Sequence, residues 1–218
     1  MSVNDKATVE KQYQTSKNLN ARISIHDKYS VNKQGFGNWI TSQYEIEEGM
    51  AVLELGCGTG SMWMGKGELI RKCGKLILSD FSEGMLEQTR KTLQEYEGID
   101  YQLIDVQKIP YADETFDVVI ANMMLYHVPD LSKGLSEIRR VLKKGGKFYC
   151  ATYGENGIME YIYGLFENRV AKADYVYSLT GMSDLQKLPR EELLKVLEAN
   201  TVDGVLRVPK EYGMFVAR

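Results

Sequence analysis

A short apolar run holding one acid, Val52-Leu53-Glu54-Leu55, breaks directly into Gly56-Cys57-Gly58-Thr59-Gly60. Glycines at alternate positions let a ligand approach the backbone, because no Cβ stands in the way. The N–H groups at the start of a following helix then offer it donors. Two ligand classes use such a device. A dinucleotide site has G-x-G-x-x-G, whose last glycine lets helix and strand pack closely. Here the spacing is G-x-G-x-G, followed by Ser61 and Met62. A carboxylate about 20 residues on can hold ribose hydroxyls in either class, and Asp80 stands there, so it does not choose between them. Glu54 and the shorter spacing favour a nucleoside without a pyrophosphate.

The elements that must position these groups follow from periodicity. Strands are expected at Ala51–Leu55, Lys75–Ser79, Ile99–Ile104, Phe116–Ala121 and Lys147–Thr152, each a short apolar run bounded by turn residues. A helix is expected from Gly60 to about Arg71. A second begins at an N-cap, Ser82, bears Met85, Leu86, Leu93 and Tyr96, and closes at Gly98. Asp130 or Ser132 caps a third, which presents Leu131, Leu135, Ile138 and Leu142 and stops at Gly145-Gly146. Five strands alternating with helices make a parallel sheet with both faces covered. The strands end at Gly56, Asp80, Asp105 and Asn122, and open α/β sheets bind ligands at their carboxyl ends. The candidates therefore converge on one edge.

Upstream, residues 1 to 20 are polar, and Leu19–Tyr44 reads as one or two short amphipathic helices broken near Gly35 and Gly37. Downstream, Glu155–Asn168 is expected to be helical. Pro189 opens a helix with Leu193, Leu194 and Leu197 on one face, and Val205–Val208 with Met214–Ala217 suggests a terminal hairpin or bent strand.

Composition bounds the function. A chain of 218 residues fits one domain with a sizeable core. Its formal charge of −3 and lack of a basic block argue against nucleic acid as a partner. Cys57, Cys73 and Cys150 are scattered and form no C-x-x-C pair, so neither a disulfide framework nor a zinc site is indicated, and no metal is expected. The N-terminus has no apolar signal and no run is long enough to span a bilayer. A cytoplasmic protein that keeps clear of membranes is the expectation.

With those residues placed, the chain resembles the class I S-adenosylmethionine-dependent methyltransferases. Val52–Gly60 is similar to their glycine motif, Leu78–Ser82 with Met85-Leu86 to their second motif, Asp105-Val106 and Phe116–Val119 to the third and fourth, and Leu142–Gly146 to the turn before strand five. The resemblance covers about residues 19 to 155. It is nearest the small-molecule enzymes grouped with the ubiquinone/menaquinone C-methyltransferases, although their substrate-specific text is not evident.

The resemblance implies an α/β, Rossmann-like doubly wound, mostly parallel sheet of the seven-stranded type, with helices on both faces. It implies one domain over 1–218: an N-terminal helical cap (1–45), a cofactor-binding core (46–153) and a C-terminal substrate-side segment (154–218). The stretch Glu155–Leu188 is short for a sixth strand plus a substrate-facing segment, so the sixth strand is abbreviated or missing, or the hairpin near Val205 replaces it.

The implied cofactor is S-adenosyl-L-methionine. Gly56, Cys57, Gly58 and Gly60 would admit its methionine part, and Glu54 would orient the loop or meet the ammonium. Asp80 would accept from both ribose hydroxyls, and Phe81 and Met85 would offer apolar surface near ribose and adenine. Asp105 would accept from the adenine amino group, Val106 N–H would donate to a ring nitrogen, and Asn122 would contact the methionine end. Structural duties compete for the same residues: Asp80 and Ser82 fit a helix cap, Asp105 an Asx turn, and Phe81 and Met85 the core.

Methyl transfer from a sulfonium needs alignment and water exclusion, with no obligatory base. His127, in Leu125–Pro129 after strand four, is the catalytic candidate, able to deprotonate an acceptor; a packed histidine fits equally. Arg22, His26 and Tyr29 lie in the helices that in this family cover the site. The expected activity is methylation of an unidentified small-molecule acceptor. A cofactor-binding module without turnover and a nicotinamide-dependent oxidoreductase are the alternatives.

Overall fold

The runs Val52-Leu53, Leu76-Ile77-Leu78 and Val118-Val119-Ile120 are almost uninterruptedly apolar, the pattern of strands buried on both faces. The computed structural model describes residues 24, 28, 30–153, 189–199, 201–203 and 212–217. In chain order its elements are α1 (Phe36–Thr41), β1 (Ala51–Leu55), α2 (Gly67–Lys72), β2 (Lys75–Asp80), α3 (Glu83–Thr92), β3 (Ile99–Leu103), β4 (Phe116–Ile120), α4 (Leu131–Val141), β5 (Leu142–Tyr153), α5 (Arg190–Ala199) and β6 (Tyr212–Ala217), with single 3₁₀ turns at Ser61–Trp63 and Leu125–His127. Contacts divide the chain into two units. One comprises Met1–Ser16, Ser30–Thr152 and Met214–Arg218, the other Lys17–Tyr29 and Tyr153–Gly213.

The sheet order is β3-β2-β1-β4-β5-β6. β1 pairs in parallel with both β2 and β4, and the β2–β3 and β4–β5 pairs are parallel too. The chain thus builds outward from β1 to β3, then returns to lay β4 on the other side of β1. That reversal opens a crevice at the carboxyl ends of β1 and β4, where such sheets take ligands. Alternate residues feed two cores. Val52, Leu76, Leu78, Val118 and Ile120 pack with Ile70, Leu86, Leu93 and Tyr149 on one face. Leu53, Leu55, Ile77 and Val119 pack with Ile138 and Val141 on the other. Helices therefore cover both faces, as expected of a doubly wound sheet.

Several boundaries differ from expectation. No helix starts directly after Gly60: a 3₁₀ turn, Ser61–Trp63, is followed by extended Met64 and by Gly65 at φ 70°, and α2 begins only at Gly67. Gly37 lies inside α1, and the break falls at Gly35, which has φ 72°. Asp130, not Ser132, caps α4, its Oδ1 accepting from Lys133 N at 3.0 Å. Asp130→Ala is expected to cost about 1 kcal/mol, read from urea denaturation.

The buried stripe of α4 is Gly134, Ile138 and Val141, while Leu131 and Leu135 are 44% and 40% exposed. Gly134 faces Val128 and Val106, whose nearest methyls lie 3.4 and 3.5 Å from where a Cβ would stand, an ordinary contact distance, and the stripe it shares with Ile138 and Val141 is the one turned inward. Leu142 is not helical: it pairs with Phe116 as the first residue of β5, and the register shifts before Val118 meets Lys147.

Six strands are present among the described residues, in a mixed and mostly parallel sheet. β6 is next to β5 and includes the predicted Met214–Ala217. α5 follows Pro189 as expected. The readings of residues 1–20, of Arg22, His26 and Tyr29, of the helix at 155–168, and of the strand at 205–208 lie outside the described residues.

Candidate functional site

β1 ends in Glu54 and Leu55, and the chain then turns through Gly56, Gly58 and Gly60 with φ of 72°, 60° and 74°. The loop is stitched to its neighbours. Cys57 N donates to Ser79 O at 2.8 Å, and Ser79 Oγ donates to Glu54 O at 2.6 Å. From α3, Thr89 Oγ1 donates to Gly58 O at 2.7 Å, with Cys57 Sγ 3.5 Å from the same hydroxyl. Two of the glycines are required by the protein's own packing. A Cβ at Gly56 would stand 2.8 Å from Met124 Cβ, and one at Gly60 would stand 2.8 Å from Thr89 Cγ2. The glycine pattern read from sequence as room for a ligand is, at these two positions, also room for α3 and for the segment after β4.

Asp80, the last residue of β2, is buried and grips this loop. Its Oδ2 accepts from Gly58 N and its Oδ1 from Ser82 N, both at 2.9 Å. Each carboxylate oxygen has a second lone pair, so the same group can still accept from a diol. Burial pushes the Asp80 carboxyl up to about 6, against the backbone N–H groups of Ser82, Gly58 and Phe81 that hold it down. The structural duty of this side chain, holding Gly58 to Ser82, is thus established by its geometry.

Glu54 is buried to 2% exposure, and its Oε2 accepts from the Trp63 indole Nε1 at 2.6 Å. Burial pushes its carboxyl up to about 7; the Trp63 hydrogen bond opposes the rise and the Asp80 charge adds to it. Asn122, just past β4, donates through Nδ2 to the Tyr44 hydroxyl oxygen at 2.6 Å, while its Oδ1 is buried without a hydrogen-bond partner. Met123 follows at φ 55°, a conformation that costs a non-glycine residue of order 1–2 kcal/mol. The turn it makes leaves Asn122 against Tyr44 and Met124 over Gly56.

The remaining candidates lie on the flanking elements. Met85 is buried within α3, Phe81 is half-buried at its entrance, and Val106 is buried in the second core. Asp105 makes an Asx turn, Oδ1 accepting from Gln107 N at 2.9 Å. That loop is latched to α4: Glu137 Oε2 accepts from Ile109 N, and Arg140 bonds Glu137, Asp113 and the carbonyls of Tyr111 and Ile109. His127 is half-buried in the turn after β4, its ring 4.5 Å from that of Tyr126. Tyr44, Trp63 and Thr89 touch site residues and had no role there in the sequence reading. Trp63 carried one usable signal: a buried indole N–H seeks an acceptor, and Glu54 is the acid of the adjoining strand.

The fit of a sulfonium nucleoside to this arrangement rests on the buried Asn122 Oδ1 and on two buried acids, Glu54 and Asp80, none of which is met by a cation among the described residues. A cation with N–H donors would satisfy both kinds of group.

Comparison with known proteins agrees. Residues 53–150 match the family model described as a methyltransferase domain. A demethylmenaquinone methyltransferase of Halalkalibacterium halodurans is 30% identical over 166 residues, 70% of this chain and 67% of that protein. The chain belongs to the class I S-adenosylmethionine-dependent methyltransferase family. The demethylmenaquinone methyltransferase of Shouchella clausii is 33% identical over 137 residues, and the match spans 58% of each protein. The chain therefore covers little more than half the length of that relative. Among solved structures the cyclase SpnF aligns with a TM-score of 0.57 over 88% of this chain and 70% of its own, at 19% identity. That likeness concerns the methyltransferase fold alone, and a fold hosts more than one chemistry.

Proposed function

We propose that this family member acts in the cytoplasm, binding S-adenosyl-L-methionine across the carboxyl ends of β1, β2 and β4 and passing its methyl group to a small-molecule acceptor. The observation that carries the reading is Asp80 bonded to the glycine loop, with Glu54 at the loop's entry and the unpartnered Asn122 Oδ1 just past the neighbouring strand β4. When bound, the sulfonium supplies an activated methyl group for in-line displacement. The chain's part is to hold and align. Gly56, Cys57, Gly58 and Gly60 present backbone to the methionine part, Asp80 takes the ribose hydroxyls, and Glu54 and Asn122 take the ammonium end. Phe81, Met85, Asp105 and Val106 line the adenine side.

His127 stands in the turn that follows β4, placed to accept a proton from an acceptor that needs one removed. Quinol-type acceptors are the first to assay, because demethylmenaquinone methyltransferases recur among the relatives. No helix among the described residues is long and apolar enough to cross a membrane. The formal charge of −3 disfavours a nucleic-acid acceptor. A nicotinamide dinucleotide is disfavoured on a specific ground. Its pyrophosphate needs the first-turn N–H groups of a helix at the glycine loop, whereas α2 begins only at Gly67.

Calorimetric titration with S-adenosylmethionine, S-adenosylhomocysteine and NADH tests the reading. Saturable binding of the first two is the expected result; binding of NADH only would sink it. The titration is expected to depend on pH. Glu54 and Asp80 hold their protons more tightly folded than unfolded, at about 7 and about 6. Their contribution to stability therefore falls as pH rises from about 4 and levels off above about 7. A bound cation reverses that preference by favouring the ionised acids. Affinity should thus rise between about pH 6 and 7, with protons released into the buffer on binding. Equal heats in buffers of different ionisation enthalpy, with affinity flat across that range, would refute this.

A further inference from the structure

Two polar side chains at the carboxyl ends of neighbouring strands are each held by an aromatic residue from elsewhere in the chain. Glu54 of β1 is held by Trp63, and Asn122 beyond β4 is held by Tyr44. The two aromatics belong to one buried cluster. Tyr44 lies 6.5 Å from Trp63 and 5.1 Å from Tyr149, ring centre to ring centre, and all three are buried. Burial and then the Glu54 charge raise the Tyr44 phenol well above its ordinary value, so Glu54 and the residue that holds Asn122 are electrostatic neighbours.

Each hydrogen bond leaves a defined acceptor. With its Nδ2 engaged by Tyr44, the Asn122 amide is oriented and keeps its Oδ1 as an acceptor in a buried position. With Oε2 engaged by Trp63, the Glu54 carboxylate is oriented by that bond, and its other oxygen is the second acceptor. Asp80 is committed to Gly58 and Ser82 and serves a different part of the loop. Two fixed acceptors, one of them charged, make a receptor for an ammonium group, which has three donors and no acceptor.

We propose that Trp63 and Tyr44 are positioning residues for the amino-acid end of the cofactor, Trp63 acting through Glu54 and Tyr44 through Asn122. The proposal rests on the reading of this loop as the S-adenosylmethionine site and adds which residues set its geometry. Without the Tyr44 hydroxyl the Asn122 amide is free to rotate and turn its NH₂ toward the ammonium, replacing an acceptor by a donor. Without the indole N–H, Glu54 loses the bond that opposes its protonation.

The test uses two ligands that differ in one part. S-Adenosylhomocysteine has the amino acid, and 5′-methylthioadenosine keeps the adenosine and sulfur but lacks it. Titration calorimetry is run on the full chain and on its Trp63→Phe and Tyr44→Phe variants. Each variant should lose about tenfold in affinity for S-adenosylhomocysteine and keep its affinity for methylthioadenosine within about twofold. A merely structural role would weaken both ligands alike; that result, or no change for either ligand, overturns the proposal. If Trp63→Phe fails to fold, Tyr44→Phe, which removes a single oxygen, decides by the same criterion. An unaltered chain that binds neither ligand overturns the cofactor reading itself, a result separable from selective failure in the variants.

Discussion

Asp80→Asn is expected to weaken S-adenosylmethionine binding by at least about a hundredfold while leaving the chain folded. Two effects of the substitution run in opposite directions for stability. Both carboxylate oxygens accept backbone N–H groups, from Gly58 and from Ser82. An amide can accept from only one of them, and its NH₂ then faces the other donor, at a cost of about 1–3 kcal/mol. Against that, the acid is buried enough to lift its carboxyl to about 6, so removing the charge relieves a desolvation penalty of similar order at pH 8. The melting temperature should therefore move little at that pH.

Binding has no such compensation. A charged acceptor for two hydroxyls is worth about 1.5–3 kcal/mol per bond, and about 2.7 kcal/mol is a hundredfold. Calorimetry on the variant, with a thermal melt beside it, reads both quantities. Unchanged affinity would mean that Asp80 is only the clamp of the glycine loop and that the ribose is held elsewhere.

Gly60→Ala is expected to lose about 3 kcal/mol of stability. The φ of 74° costs an alanine of order 1–2 kcal/mol. Its Cβ would then stand 2.8 Å from Thr89 Cγ2 and 3.2 Å from Leu93 Cδ1, and such overpacking adds about 1–3 kcal/mol. Neither neighbour can yield cheaply: Thr89 is β-branched and bonded to Gly58 O, and Leu93 is fully buried. Gly145 is the internal control, since it has the same φ of 74° with nothing within 4 Å of a built Cβ. Gly145→Ala should lose the strain cost only. In urea denaturation the difference between the two variants isolates the contact between the loop and α3, and equal losses would show that this packing contributes nothing.

Much of the fold was written in short windows. β1 occupies Ala51–Leu55 as its apolar run requires, Ser82 caps α3, and Asp130 was one of two caps foreseen for α4. Glu54, the glycine loop, Asp80 and Asn122 were legible for a related reason: each stands at or next to the close of an apolar run, and a parallel sheet brings those closures to one edge. The misreadings have physical causes. The apolar spacing of Leu131, Leu135, Ile138 and Leu142 suits a helix, but α4 buries the stripe of Gly134, Ile138 and Val141, and Leu142 is taken by pairing with Phe116. After Gly60 the sequence reads as helical through Arg71, yet Gly65 at φ 70° interrupts it.

The sequence by itself determined the alternation of strands and helices, a parallel sheet covered on both faces and the acids at its carboxyl edge, because periodicity and turn chemistry act within a few residues. The doubly wound form was implied by the family resemblance. Only the tertiary structure decided which groups the polar side chains at that edge hold. Asp80 closes the loop on Gly58, 22 residues away in sequence, and Asn122 meets Tyr44 across 78 residues. The Trp63 indole returns over the glycine turn to Glu54. Such pairings carry no periodic signal; they form because a buried polar group must find a partner, and which partner lies within 3 Å is set by how the sheet folds the chain back on itself.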